Sequence, residues 1–234
     1  MPEPRKRTYR TFTHHEAVLR ICCDQFDVVV AEIVRQRRIL EEYIARHPSF
    51  QSALAPIDLR ADAPEVARRM AWAARRAGVG PMAAVAGAMA QIAAEAALAA
   101  GAEEAIVDNG GDIYLKAVEP VVVALGTGTA KLANRLAFAV EPNETPLSIC
   151  SSSGKMGHSM SFGLCDLATI VAKDTALADA AATEAGNLVK TIDDVDPALE
   201  RIMRINGVEG VLLVKDDRVG LAGHLPRLVK TTGF

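Results

Sequence analysis

Neither a Cys-x-x-Cys pair nor a Cys/His spacing suited to zinc occurs in this chain. Its four cysteines are the adjacent Cys22 and Cys23, then Cys150 and Cys165, and they read as small apolar core residues of a reducing compartment. An excess of positive charge is missing too. The net charge is −3, and apart from a short PRKR near the start the basic residues are dispersed, so nothing draws the chain to nucleic acid. No apolar run follows the basic residues of MPEPRKRTYRTF, so no secretory or lipoprotein leader is expected and the expected location is cytoplasmic. A strong membrane span is also lacking: the most apolar stretch, residues 81–102, is mostly Ala and carries Gln91 and Glu95, which suits a buried helix. There is no GxSxG nucleophile elbow. The Lys155 region lacks the glycine spacing and the Ser/Thr after Lys that a Walker phosphate loop needs.

What the chain does have is apolar content, 50% of its 234 residues, enough for a globular core. Residues 7–31 read as two strands, the second FDVVVA, joined at Asp24-Gln25. Residues 32–46 place Ile33, Leu40 and Ile44 on one stripe of an amphipathic helix that His47-Pro48 ends. Residues 49–62 read as a loop, and a helix runs from Pro64 to Ala77 before Gly78, Gly80 and Pro81. The Ala-rich segment 81–100 suits a central helix, because its small side chains let another backbone approach. A strand, a turn at Asn109-Gly110-Gly111-Asp112 and a second strand follow, then short strands at VVVAL, LAFAV, SICSS and LATIVA. Helices over 174–190 and PALERIMRI, and a hairpin turning at Asp216-Asp217, complete the series. The expected class is α+β: one domain over residues 1–234, with mixed or antiparallel sheets packed by helices around the Ala-rich one, and tails at 1–6 and 225–234.

Three places carry candidate chemistry. In the turn, Gly110 and Gly111 supply positive φ; as a ligand site, Asn109 and the two glycines would let a nucleotide approach while Asp112 hydrogen-bonds a ribose or ring N–H. In the Ser/Gly loop, Ser151, Ser152, Ser153, Gly154, Lys155 and His158 gather hydroxyls, a cation and an imidazole that suit a phosphate or carboxylate. In the helix DTALADAAATEAGN, Asp179 and Thr183 stand one turn apart among alanines. A carboxylate there is near a buried face and needs a cation or donors opposite it, and oxygen ligands favour Mg²⁺ or Ca²⁺. Asp174 is placed to cap the same helix.

Together these segments resemble the ApbE superfamily, flavin transferases that attach FMN from FAD to a protein Ser or Thr with Mg²⁺. The matching segments are the glycine-containing Ala-rich helix, NGGDI, the Ser/Gly loop with its His, and ALADAAAT, in that order over roughly residues 7–223. The resemblance implies an ApbE-like fold. It implies an Mg²⁺ held by Asp179, Thr183 and the backbone carbonyl of about Ala83, with Asp179 and His158 as catalytic residues. It also implies a small-molecule nucleotide ligand, FAD or FMN, and a protein acceptor. Two positions depart from the transferase pattern: Ala86 stands before Gly87 where transferases carry Lys, and His158 is not followed by their Asp-Pro. The chain is therefore closest to an ApbE-related branch, with FMN transfer or FAD pyrophosphate cleavage as candidate reactions. A cytosolic cofactor-binding or assembly protein without turnover, or a binder of another phosphorylated or pterin-like ligand, stands as the alternative. The Ala-rich helix also allows a homodimer.

Overall fold

The computed structural model describes residues 7–125, 136–153 and 164–230. Strands β1 (Arg10–His14) and β2 (Ala17–Cys23) form a hairpin, and helix α1 (Phe26–Arg46) follows at once. FDVVVA, expected as a strand, is the first turns of α1. Its buried residues Phe26, Val29, Ile33, Gln36, Leu40 and Tyr43 alternate three and four apart, the helical period. The run of valines hides that period because Val28 and Val30 lie off the buried stripe. After a single helical turn, α2 (Ser49–Ser52), where a loop was expected, come α3 (Glu65–Ala77) and a 3₁₀ turn (Pro81–Ala84) that opens α4 (Val85–Ala99).

The strands β3 (Ala105–Asn109) and β4 (Asp112–Lys116) are joined through Gly110 and Gly111. Next come β5 (Val121–Leu125), β6 (Leu136–Val140), β7 (Leu147–Ser152) and β8 (Leu167–Ala172), then α5 (Thr175–Leu188) and α6 (Val195–Met203). The chain ends on β9 (Val208–Lys215), β10 (Arg218–Gly223) and β11 (Arg227–Lys230). Residues 227–230 were expected within a tail; they pair instead with β6, burying part of the small sheet's edge.

Eight strands form one sheet in the order β1-β2-β3-β4-β7-β8-β9-β10, and β11-β6-β5 form a second. Every described strand pair is antiparallel. Strand alternation divides the core into layers. Ile149, Leu167, Val171, Leu212 and Val214 meet Val123, Phe138 and Val140 of the small sheet. Their neighbours Cys150, Ala168, Ile170, Val211 and Leu213 face the helices. Buried on nearly every side, α4 packs on α1, α5, β3 and β4. The segment Pro81–Ala99 is long and apolar enough to cross a membrane, yet half of it is buried inside this fold. Cys22, Cys150 and Cys165 are buried and form no disulfide, as expected of apolar core residues, whereas Cys23 is only half-buried.

The approach of α4 to α5 explains the lone glycine of the Ala-rich helix. A Cβ on Gly87 would lie 2.3 Å from the carbonyl oxygen of Thr175 and 2.9 Å from Cβ of Asp179. The start of α5 is pinned as well: Asp174 accepts from the N–H of Leu177 at 2.8 Å. Gln91 of α4 accepts from the N–H of Thr175 at 2.7 Å. Gln91 in turn donates to Glu95, which holds Arg69 of α3. Replacing Gln91 by Ala removes a partner from a helix N-terminus and is expected to cost about 1 kcal/mol, read as a lowered denaturation midpoint at unchanged slope.

Candidate functional site

The site forms where the sheet end of β4 meets the entry of α4 and the second turn of α5. A helix beginning at Val85 leaves its first N–H groups without partners inside the helix. Asp179 supplies one: the N–H of Gly87 donates to its Oδ2 at 2.9 Å, and the N–H of Ala86 also favours its charged form. Asp179 is 9% exposed and Thr183, one turn on, 6%. The expectation of a buried face for this pair is met, and the face turns toward the start of α4, where Ala83 lies in the 3₁₀ turn.

The Asn109–Asp112 turn belongs to the same cluster. Gly110 and Gly111 have φ of 69° and 105°, the conformation of a two-residue hairpin turn. A Cβ on Gly110 would meet nothing within 4 Å, so backbone conformation and not crowding asks for glycine there. Asn109 is turned inward and donates from Nδ2 to the carbonyl of Ala86 at 3.1 Å. Asp112 pairs in register with Cys150, whose thiol donates to the carbonyl of Thr175 at 3.5 Å. Oδ1 of Asp112 is buried and has no hydrogen-bond partner among the described residues. One oxygen of the carboxyl expected to meet a ribose or ring N–H thus points into the protein, and its charge acts on Asp179.

The electrostatics follow from that juxtaposition. Burial pushes the Asp112 carboxyl up to about 7, with the Cys150 thiol opposing and the charge of Asp108 adding. Burial and then the charge of Asp112 hold the Asp179 carboxyl well above the carboxylate range, against the N–H groups of Gly87 and Ala86. Burial and then the charges of Asp112 and Asp179 raise the Cys150 thiol. Two carboxylates in one dry cluster disfavour each other's ionisation. Among the described residues, no Arg, Lys or His forms an ion pair with either.

The three serines of the expected phosphate loop separate. Ser151 and Ser152 close β7. The hydroxyl of Ser151 meets that of Thr169 at 2.9 Å, on the sheet face turned away from Asp179. Ser152 shares the face of Cys150, and Ser153, half-buried, follows it. Gly154, Lys155 and His158 lie outside the described residues.

The family model described as "AbpE bacteria" matches residues 5–218. This chain is a member of the AbpE family. A UPF0280 protein of Methanocella arvoryzae is 42% identical to it over 217 residues, covering 92% of this chain and 88% of that protein. A second UPF0280 protein, from Archaeoglobus fulgidus, is 41% identical over 226 residues, covering 93% and 92%. Among solved structures, the ApbE protein of Thermotoga maritima superposes with a TM-score of 0.61 at 12% identity, covering 93% of this chain and 97% of that one. The flavin transferase ApbE of Vibrio cholerae gives 0.52 at 14% identity, covering 94% and 97%. The AbpE-family chain therefore has the expected ApbE-like α+β fold. Reading the sequence missed that Asp112 and Asp179 are neighbours, that Asn109 braces Ala86, and that Gln91 holds the start of α5. The one signal available was their polarity inside otherwise small and apolar segments.

Proposed function

We propose that this AbpE-family protein binds a flavin nucleotide with a divalent cation, and that FMN transfer or FAD pyrophosphate cleavage is its chemistry. The observation that carries this reading is the Asp179–Thr183 face of α5 packed on the entry of α4. Asp179, the hydroxyl of Thr183 and the carbonyl of Ala83 are the groups that would hold the cation. The donors fit a hard ion: they are oxygens, and the charge of Asp112, whose Oδ1 has no hydrogen-bond partner among the described residues, acts on Asp179. A bound Mg²⁺ supplies charge neutralisation to the pyrophosphate. The chain's own groups would orient the ligand: Gly110 of the turn has open space around it, and Ser152 shares the sheet face of Cys150.

Incubation of the purified protein with FAD and Mg²⁺ is expected to release AMP or FMN, and Asp179→Ala to abolish it. If neither product forms and no flavin is retained, the catalytic reading fails. A carrier without turnover is the second reading, favoured by Ala86, whose carbonyl is taken by Asn109. Flavin retained without product distinguishes it.

A further inference from the structure

A cap for α4 accounts for Asp179 by itself, since its carboxylate receives the N–H of Gly87. It does not account for a second carboxylate beside it. Oδ1 of Asp112 is shut away from water without a donor among the described residues, and a buried carboxylate oxygen with no partner is costly enough to need a reason. The side-chain hydrogen bond its carboxyl does have is to the weak Cys150 thiol, and it leaves Oδ1 unmet. That thiol also lies 3.5 Å from the carbonyl of Thr175, and the amide of Asn109 donates to Ala86. What remains is a pair of acidic oxygen ligands contributed by two layers of the fold, the sheet through β4 and the helices through α5.

The geometry points to Asp112 as a direct ligand, with Asp179, of the divalent cation, so that the ion ties the Asn109–Asp112 turn of the sheet to α5 and binds before any nucleotide. This rests on the cation reading above and changes the role of the turn from nucleotide contact to metal ligand. The order of binding follows from charge. One carboxylate leaves a divalent ion half-neutralised and dependent on ligand phosphates, whereas two carboxylates neutralise it within the protein.

The test uses the full chain and Mn²⁺ as the probe ion, titrated without nucleotide and followed by electron paramagnetic resonance and by the rise in melting temperature. Wild type is expected to bind. Contacts one layer outside a metal are worth 10–100-fold in affinity, so Asp112→Asn, losing a direct ligand, is expected to weaken binding by about 100-fold or more. The same variant is expected to lose the Mn²⁺-dependent rise in melting temperature while keeping its circular dichroism and a cooperative metal-free melt. Glu200→Ala, exposed on α6, is expected to leave Mn²⁺ affinity unchanged. If Asp112→Asn binds Mn²⁺ like wild type while Asp179→Asn does not, Asp112 is no ligand and the cation reading survives. Binding by wild type only when FAD is present overturns the nucleotide-free site. No binding with or without FAD removes the cation reading too.

Discussion

In metal-free buffer at pH 8, Asp112→Asn is expected to be more stable than wild type, by up to about 4 kcal/mol. The magnitude comes from linkage: the carboxyl titrates near its ordinary value of 3.8 in the unfolded chain and at about 7 in the folded one, and each unit is worth about 1.36 kcal/mol. For an acid raised in this way, the folded state holds a proton that the unfolded state has already lost. Wild-type stability therefore falls as pH rises from about 4 to about 7, and the loss is complete above that. Asparagine keeps the shape and an acceptor oxygen but cannot ionise, so its profile is flatter across the window, and Asp179, raised first by burial, loses the neighbouring charge that adds to it. Urea denaturation at pH 5 and pH 8 in EDTA measures both. Equal pH slopes in the two proteins would show that Asp112 is not buried against Asp179 as described.

Gly87→Ala is the second large effect. The new Cβ would sit 2.3 Å from the Thr175 carbonyl oxygen and 2.8 Å from its carbon, both backbone atoms that cannot turn aside. Either α4 and α5 separate or the turn of α5 ahead of Asp179 shifts. Overpacking of a well-filled core costs about 1–3 kcal/mol, and here the loss of the Gly87 N–H to Asp179 adds to it. A loss of about 3 kcal/mol, with weakened Mn²⁺ binding in whatever protein remains folded, is expected. Gly110→Ala is the control: open space surrounds it, so its cost is backbone strain alone, about 1 kcal/mol, with Mn²⁺ affinity retained. If the two alanines prove equally harmless, the close approach of α4 to α5 is not required for stability.

Much of the fold was legible in the sequence because its signals are local. The hairpin at Gly110-Gly111, the cap at Asp174 and the small-residue face of the Ala-rich helix are matters of backbone conformation and side-chain size within a few residues. The Asp179–Thr183 pair was legible for the same reason, as two oxygens one helical turn apart. FDVVVA was misread because a run of β-branched residues satisfies strand and helix patterns alike until the burial of Phe26, Val29 and Ile33 decides between them. Strand parity, set by pairing with β4 and β8, turned Ser151 toward Thr169 and Ser152 toward the helices, and composition carries no parity. The sequence by itself determined the turn, the Asp174 cap, the pairing of Asp179 with Thr183 on one helix face and the membership of an α+β family. Only the tertiary structure decided that Asp112 and Asp179, 67 residues apart, share one dry cluster with the entry of α4. That proximity is set by the β4–β7 register and by the missing Cβ of Gly87, which would sit 2.3 Å from the Thr175 carbonyl oxygen; a charge on one carboxylate acts strongly on the other only where water is excluded.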